Sequence, residues 1–344
     1  MTLSKEQRQI IIDSILESIL LENLNVTALS EKHNISRQSI YRYIKKLKDD
    51  GIVKQNKKTK KYELVNYTLS KVYKNENLQE HVIWTNDIKP FLKEIPKPAF
   101  NILEYTIGEI LNNAIDHSDC EKINVVIQKN QYVIFVIIWD DGIGIFKKIQ
   151  DSLSLSEKRF AILELSKGKF TTDPKKHTGE GIFFSSKASD KFLIFSDELM
   201  FAARNNDNDI IYEDEFTKQA NPKGTIVLIG VLRNTTTKID DIFNYYTEYP
   251  ESYGFNKTTV PVKLLEYGDD SPVFVSRSQA KRLLAGFDKF NSITLDFEGV
   301  EAIRQGFADE IFRVFPQEHP QCTLNAINCN EQIDSMIKHV QNTK

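Results

Sequence analysis

Cysteine is scarce in this chain. Cys120, Cys322 and Cys329 are the only three in 344 residues, and their spacing fits neither a disulfide framework nor a thiolate metal site. Such usage suits a reducing, cytoplasmic setting. No apolar stretch is long enough to span a bilayer, and the charged first residues carry no apolar signal core, so no membrane partner is expected. Net charge is nearly absent as well, because 45 Lys plus Arg stand against 48 Asp plus Glu. A chain so balanced has no global attraction for a polyanion, and any nucleic-acid contact must be local. Internal repeats and low-complexity tracts are missing. The length suffices for two or three domains with cores of their own.

Three segments in the middle carry most of the chemistry. Glu109-Ile-Leu-Asn-Asn113-Ala-Ile-Asp-His117 places Glu109, Asn113 and His117 four residues apart, on one face of a helix. Asp140-Asp-Gly142-Ile-Gly144-Ile follows the apolar run Tyr132 to Trp139, which reads as a buried strand. His177-Thr-Gly179-Glu-Gly181-Ile opens a further apolar run, and glycine-rich backbone at a helix start suits phosphate. Together these are a carboxylate and an amide on one helix, an aspartate after a strand, and a glycine turn into a helix. That set describes a nucleotide site.

The order of the boxes resembles the GHKL ATPase superfamily of gyrase, the heat-shock chaperone ATPases, histidine kinases and MutL. The resemblance covers residues 78–232, with Gly224-Thr225 and the strand-like run Ile226 to Leu232 as a fourth element. It implies a Bergerat-type α/β sandwich that binds ATP with Mg²⁺. By the same resemblance Asn113 is the Mg²⁺ ligand, a hard oxygen donor. Glu109 is the general base for water in hydrolysing branches. Asp140 accepts a hydrogen bond from the adenine amino group, supported by the Thr225 hydroxyl. Gly142 and Gly144 leave room for the base, and Gly179 and Gly181 let the chain wrap the phosphates. His117 completes an Asn-Ala-x-x-His form seen in the anti-sigma-factor-like branch, and it also fits a residue that packs the helix end. Asp141 reads as a turn residue. Taken alone, Glu109 and Asn113 would also fit a solvated polar stripe; the company of the other boxes decides against that.

Residues 146–178 match the family's ATP lid in length. Their Lys167, Lys169, Lys175, Lys176 and His177 fit either phosphate contacts or a solvated loop. The region before the ATP fold, residues 67–77 and then His81 to Ile95, reads as a connector and lead-in. His81 is followed by Val82, and Pro90, Pro96 and Pro98 interrupt long helices, so the phosphoacceptor hairpin of a histidine kinase is not expected.

Residues 1–66 have the layout of a winged helix-turn-helix. Ile10, Ile11, Ile12, Ile15, Ile19 and Leu20 lie on or near one helical face, and Thr27 to Asn34 is a short helix. Ser36 caps the helix Arg37 to Lys48, with Ile40, Ile44 and Leu47 inward and Gly51 as its stop. Strands at Ile52–Gln55 and Lys61–Val65 form the wing. Arg37 to Lys61 hold ten Lys or Arg against Asp49 and Asp50. Ser36, Arg37, Gln38, Ser39, Tyr41 and Arg42 open the candidate recognition helix, and Lys57, Lys58, Lys60 and Lys61 form a phosphate-binding wing tip for double-stranded DNA. The competing reading is a winged helix used for protein contacts.

Residues 270–344 alternate strand and helix and resemble a STAS-like α/β domain, the fold of anti-anti-sigma factors. The turn Arg304-Gln305-Gly306 lacks the phosphorylatable serine of those proteins. Asp309, Glu310 and Arg313 fit a protein-partner surface or an internal ion pair. The expected class is α+β in three units: winged helix, GHKL sandwich and STAS-like domain. Three functions stay open. One is a cytoplasmic transcriptional regulator switched by ATP binding or slow hydrolysis. The second is an anti-sigma-type serine kinase acting on a STAS partner. The third is an ATP-binding scaffold without turnover.

Overall fold

The computed structural model describes residues 3–170, 179–204, 223–247, 255–265 and 273–342. The first unit packs α1 (Lys5–Leu20), α2 (Val26–Lys32) and α3 (Arg37–Asp49) with a two-stranded wing, β1 (Val53–Gln55) and β2 (Tyr62–Leu64). Ser4 and Gln7 form a reciprocal capping box that starts α1, and the Ser36 hydroxyl accepts from Ser39 N to start α3. The α1 face that turns inward is Ile11, Ile15, Leu16 and Ile19; Ile10, expected near it, is 52 % exposed. Ile40, Ile44 and Leu47 are buried as the spacing of α3 predicts. These residues, with Leu29, Val53 and Leu64, make a core separate from that of the remaining chain.

Tyr67–Lys74, expected as connector, is a strand (β3). It pairs antiparallel along its whole length with β4 (Lys122–Lys129). The central unit therefore begins at Tyr67, two residues after the wing, rather than at residue 78. Between β3 and the long helix α6 (Lys97–His117) lie α4 (Glu80–Ile83), a π turn (Trp84–Ile88) and α5 (Lys89–Leu92). The sheet has six strands in the order β3-β4-β5-β8-β6-β7, all neighbours antiparallel, with β5 at Val133–Asp140, β6 at Lys191–Ser196, β7 at Leu199–Arg204 and β8 at Thr225–Leu232. Helices α6, α7 (Ile145–Leu153), α8 (Phe160–Lys167) and α9 (Gly181–Ala188) bury their apolar faces in the same core as the inward strand residues Ile123, Val125, Val136, Ile194 and Ile229.

After α10 (Ile239–Tyr246) comes β9 (Lys257–Pro261), which joins a parallel sheet in the order β13-β11-β9, with β11 at Ser292–Asp296 and β13 at Thr323–Ile327. The STAS-like unit thus takes its first strand from before residue 270. A second parallel pair joins β10 (Val273–Phe274) and β12 (Ala302–Ile303). Helix α11 (Arg277–Leu284), capped by Ser276, short helices α12 (Gln305–Asp309) and α13 (Phe315–Glu318), and α14 (Glu331–Asn342) complete it. Asp309 is buried and accepts from Arg313 Nε at 2.5 Å, Arg313 Nη2 at 2.8 Å and Arg277 Nη2 at 2.9 Å. Arg313 foremost holds its carboxyl below the usual range. Of the two readings of Asp309 and Arg313, the internal ion pair is what the fold contains. One continuous buried cluster, from Ile83 to Val340, serves the central sheet and this domain together.

Candidate functional site: a cavity between the long helix and the sheet

A cavity of about 330 Å³ opens between α6 and the central sheet, and it collects residues far apart in sequence. Glu109, Asn113 and His117 line it from α6, Asp140 from the end of β5, Gly144 from the following turn, Gly179 and Gly181 from the start of α9, and Thr225 from the start of β8. Asp140 and Thr225 are direct partners in the antiparallel register, which is why residues 85 positions apart in the chain share one end of the cavity.

Asp140 is 5 % exposed. Burial is the main reason its carboxyl is pushed up to about 6, against amide donors from Gly142 and Thr225 that favour the ionised form. Its Oδ1 accepts from Gly142 N at 2.9 Å. Gly142 does not line the cavity as expected. It sits against the Ser118 backbone, where a Cβ would come within 2.0 Å of the carbonyl oxygen, so its missing side chain serves the turn rather than a ligand. The Thr225 hydroxyl accepts from Ile145 N at 3.0 Å and ties the start of α7 to the sheet. Asp141 Oδ1 accepts from Glu121 N and Lys122 N at 2.9 and 3.0 Å, the turn role expected for it.

At the other end, α6 meets the glycine turn. A Cβ on Gly181 would lie 1.9 Å from Glu109 Oε2, so a side chain there would displace this carboxylate from its present place. Tyr105, one turn before Glu109, has its phenol pushed up by burial first, then by the negative potential of Glu109 and Glu180. The Glu109 carboxylate and the amides of Asn112 and Asn113 thus give this end hard oxygen donors, and Glu180 nearby adds negative potential, which fit a small divalent cation. Among the described residues no group of three His, Cys, Asp or Glu forms a metal site without a ligand's help.

Several lining residues escape sequence reasoning: Asn112, Ile143, Lys148, Leu165 and Phe170. Lys148 donates from Nζ to the His117 carbonyl, bridging α7 to the end of α6. Its place on the amphipathic α7, directly after the Asp140 box, was the available signal. The lid lysines divide. Lys167 and Lys169 turn away from the cavity to the C-terminal domain. Lys175, Lys176 and His177 lie outside the described residues.

On the winged helix, Ser36, Arg37, Gln38, Tyr41 and Arg42 are exposed at the start of α3, and Ser39 is half-buried by its capping bond. Tyr41 is 56 % exposed. Lys57, Lys58, Lys60 and Lys61 are exposed at the wing tip, where Asn56 Oδ1 accepts from Lys58 N and Thr59 N to close the turn. Lys61 reaches back to Glu22 at 2.9 Å, an exposed pair of little energetic weight.

A winged-helix unit, a GHKL-type ATPase module and a STAS-like domain follow in series, and the domain matches support an ATP-binding transcriptional regulator. Three family models match in that order. Residues 16–68 match the sugar-specific transcriptional regulator TrmB, residues 101–194 the histidine kinase-, DNA gyrase B- and HSP90-like ATPase, and residues 279–334 a STAS-like domain of unknown function (DUF4325). No curated protein matches the chain. The ATPase match implies nucleotide binding, and no described helix is long and apolar enough to cross a membrane.

Proposed function

We infer that the chain grips duplex DNA through α3 and the wing, and that the grip is set by the nucleotide state of the central cavity. The observation that carries this reading is the path of β5. At its start Tyr132 packs against the winged-helix core and shares a hydrogen bond with Glu17, burial pushing its phenol up to about 12. Asn130 Nδ2 donates to Asn66 Oδ1 at 2.9 Å, and Asn234 Nδ2 to Asp13 Oδ1 at 3.1 Å. At its end Asp140 faces the cavity. Eight paired residues, roughly 25 Å of strand, join the two sites. The linker around Val65 and Asn66 is too short to isolate them.

In the cavity, the ionised Asp140 accepts a hydrogen bond from the adenine amino group through the oxygen that Gly142 does not use. Gly179 and Gly181 bring backbone to the phosphates. Asn113, with Glu109 and Asn112 beside it, would hold Mg²⁺, which would supply neutralisation of phosphate charge. Glu109 is the one carboxylate on α6 placed to accept a proton from an attacking water, giving slow hydrolysis to ADP and phosphate. The Asn113-Ala-Ile-Asp-His117 form keeps phosphoryl transfer to a serine of a STAS partner as the second reading. Incubation with γ-labelled ATP separates them: free phosphate supports hydrolysis, labelled protein supports transfer, and neither leaves binding alone. Mobility-shift titrations with ATP, ADP and no nucleotide test the switch itself; three identical curves would refute it.

A further inference from the structure

The C-terminal domain packs behind one wall of the nucleotide cavity. Residues 160–170 are two-sided. Leu165, Gly168 and Phe170 face the cavity, while Phe160, Glu164, Lys167 and Lys169 face the C-terminal domain. Lys167 is 2 % exposed. Its ammonium donates to Glu164 Oε1 at 2.6 Å and to the carbonyls of Ala285 at 2.9 Å and Arg282 at 3.2 Å. Those carbonyls end α11, where a cation meets both unpaired acceptors and the negative end of the helix dipole. Burial lowers the lysine's pKa and Glu164 opposes that. Lys169 donates to the Lys289 carbonyl at 2.8 Å and lies 4.8 Å from the Phe290 ring centre. The Thr258 hydroxyl on β9 donates to the Lys167 carbonyl at 2.8 Å, and the Arg282 guanidinium sits 3.9 Å from the Phe160 ring centre.

A second path runs through aromatic rings. Phe183, which lines the cavity on the first turn of α9, lies 4.4 Å from Phe255, and Phe255 lies 5.3 Å from Phe290. The wall between is thin. A second cavity of about 320 Å³ lies beyond Gly168 and Phe170, bounded on its far side by Ala285, Gly286, Lys289 and Phe290. Ala161, Ile162, Leu163 and Leu165 anchor α8 in the core, and beyond it Gly168 and Phe170 border open space on both faces, where packing alone fixes them less. The segment's bonds to the C-terminal domain hold it.

We propose that the STAS-like domain is the internal partner of the nucleotide site: its docking on residues 160–170 pre-forms the cavity wall, so that nucleotide binding and docking strengthen each other. This rests on the nucleotide reading of the cavity. It gives the domain a role in cis and assigns the lid lysines Lys167 and Lys169 to docking rather than to phosphate.

The test uses the full chain, the ATP analogue with a non-hydrolysable β–γ bridge, and Mg²⁺. Hydrogen exchange over residues 277–284 is followed with and without nucleotide, and affinity is measured by calorimetry in wild type, Arg282→Ala and Lys169→Met. The expected result is slower exchange of α11 on nucleotide binding and a roughly 5- to 150-fold loss of affinity in each variant, the usual range of such coupling. Asn113→Ala should lose affinity with α11 exchange unchanged in the absence of nucleotide. Exchange of α11 indifferent to a nucleotide that binds, with wild-type affinity in both variants, would overturn the proposal while leaving the nucleotide site standing. Failure of wild type to bind any adenine nucleotide would overturn the reading of the cavity and this proposal with it. The wild-type exchange measurement stands even if a variant fails to fold.

Discussion

Asp140→Asn should make the protein more stable and weaken its hold on nucleotide. The buried carboxyl moves from 3.8 to about 6. Because the folded pKa is raised, the folded state is penalised for ionisation. Below pH about 4 both states are protonated and the penalty is absent. Between about 4 and 6 it grows, and above 6 it is complete. Two units at roughly 1.4 kcal/mol each put it near 3 kcal/mol at pH 7. Asparagine keeps an oxygen for Gly142 N but carries no charge, so a gain of about 1–3 kcal/mol is expected at pH 7, shrinking toward zero at pH 4. The same change turns the second oxygen into a donor aimed at the adenine amino donor. Leaving those groups unpaired costs about 2–3 kcal/mol, or roughly 30- to 150-fold in nucleotide affinity. The two tryptophans, Trp84 and Trp139, both lie in the central unit, so their fluorescence follows its thermal unfolding without signal from the ends. A variant no more stable than wild type at pH 7, or one that binds nucleotide normally, would refute the reasoning. In wild type, nucleotide affinity should weaken as pH falls through about 6, because the neutral carboxyl is a poorer acceptor for the adenine N–H than the carboxylate.

Asn113→Ala should abolish Mg²⁺-dependent nucleotide binding, checked by calorimetry with and without the ion. Glu109→Gln should bind ATP but hydrolyse it at least about a hundredfold more slowly, the usual cost of a lost general base, as read by phosphate release. Changing Lys57, Lys58, Lys60 and Lys61 together to Ala should flatten the salt dependence of DNA binding by up to about 3–4 units of log–log slope, each phosphate contact contributing roughly 0.9. Tyr132→Leu should leave DNA affinity without nucleotide unchanged and shrink the nucleotide effect in mobility-shift titrations.

The winged helix was legible because local signals agree: Ser36 caps, Ile40, Ile44 and Leu47 keep helical spacing, and Gly51 stops the helix. The cavity was legible for a different reason. Its residues lie in short boxes whose order is itself informative. What sequence reading missed is what depends on long-range pairing. Tyr67–Lys74 is an edge strand, largely exposed, so it lacks the apolar alternation of a half-buried strand and stands only through its pairing with β4. Lys167 and Lys169 meet carbonyls more than 100 positions away, and nothing near them in the chain distinguishes a docking lysine from a phosphate-binding one. The early start of the STAS-like unit was hidden likewise. Lys257–Pro261 is short, and only its parallel partner β11 makes it a strand.

The central claim, that one chain couples DNA to ATP, is tested most directly from the nucleotide side. Linkage requires DNA to shift nucleotide affinity by the same factor as nucleotide shifts DNA affinity. Calorimetric titration of the full chain with ATP and Mg²⁺, with and without saturating duplex, should give affinities that differ by about 5- to 150-fold, matching the factor from mobility shifts. Tight binding of both ligands with no difference between the two titrations would contradict it.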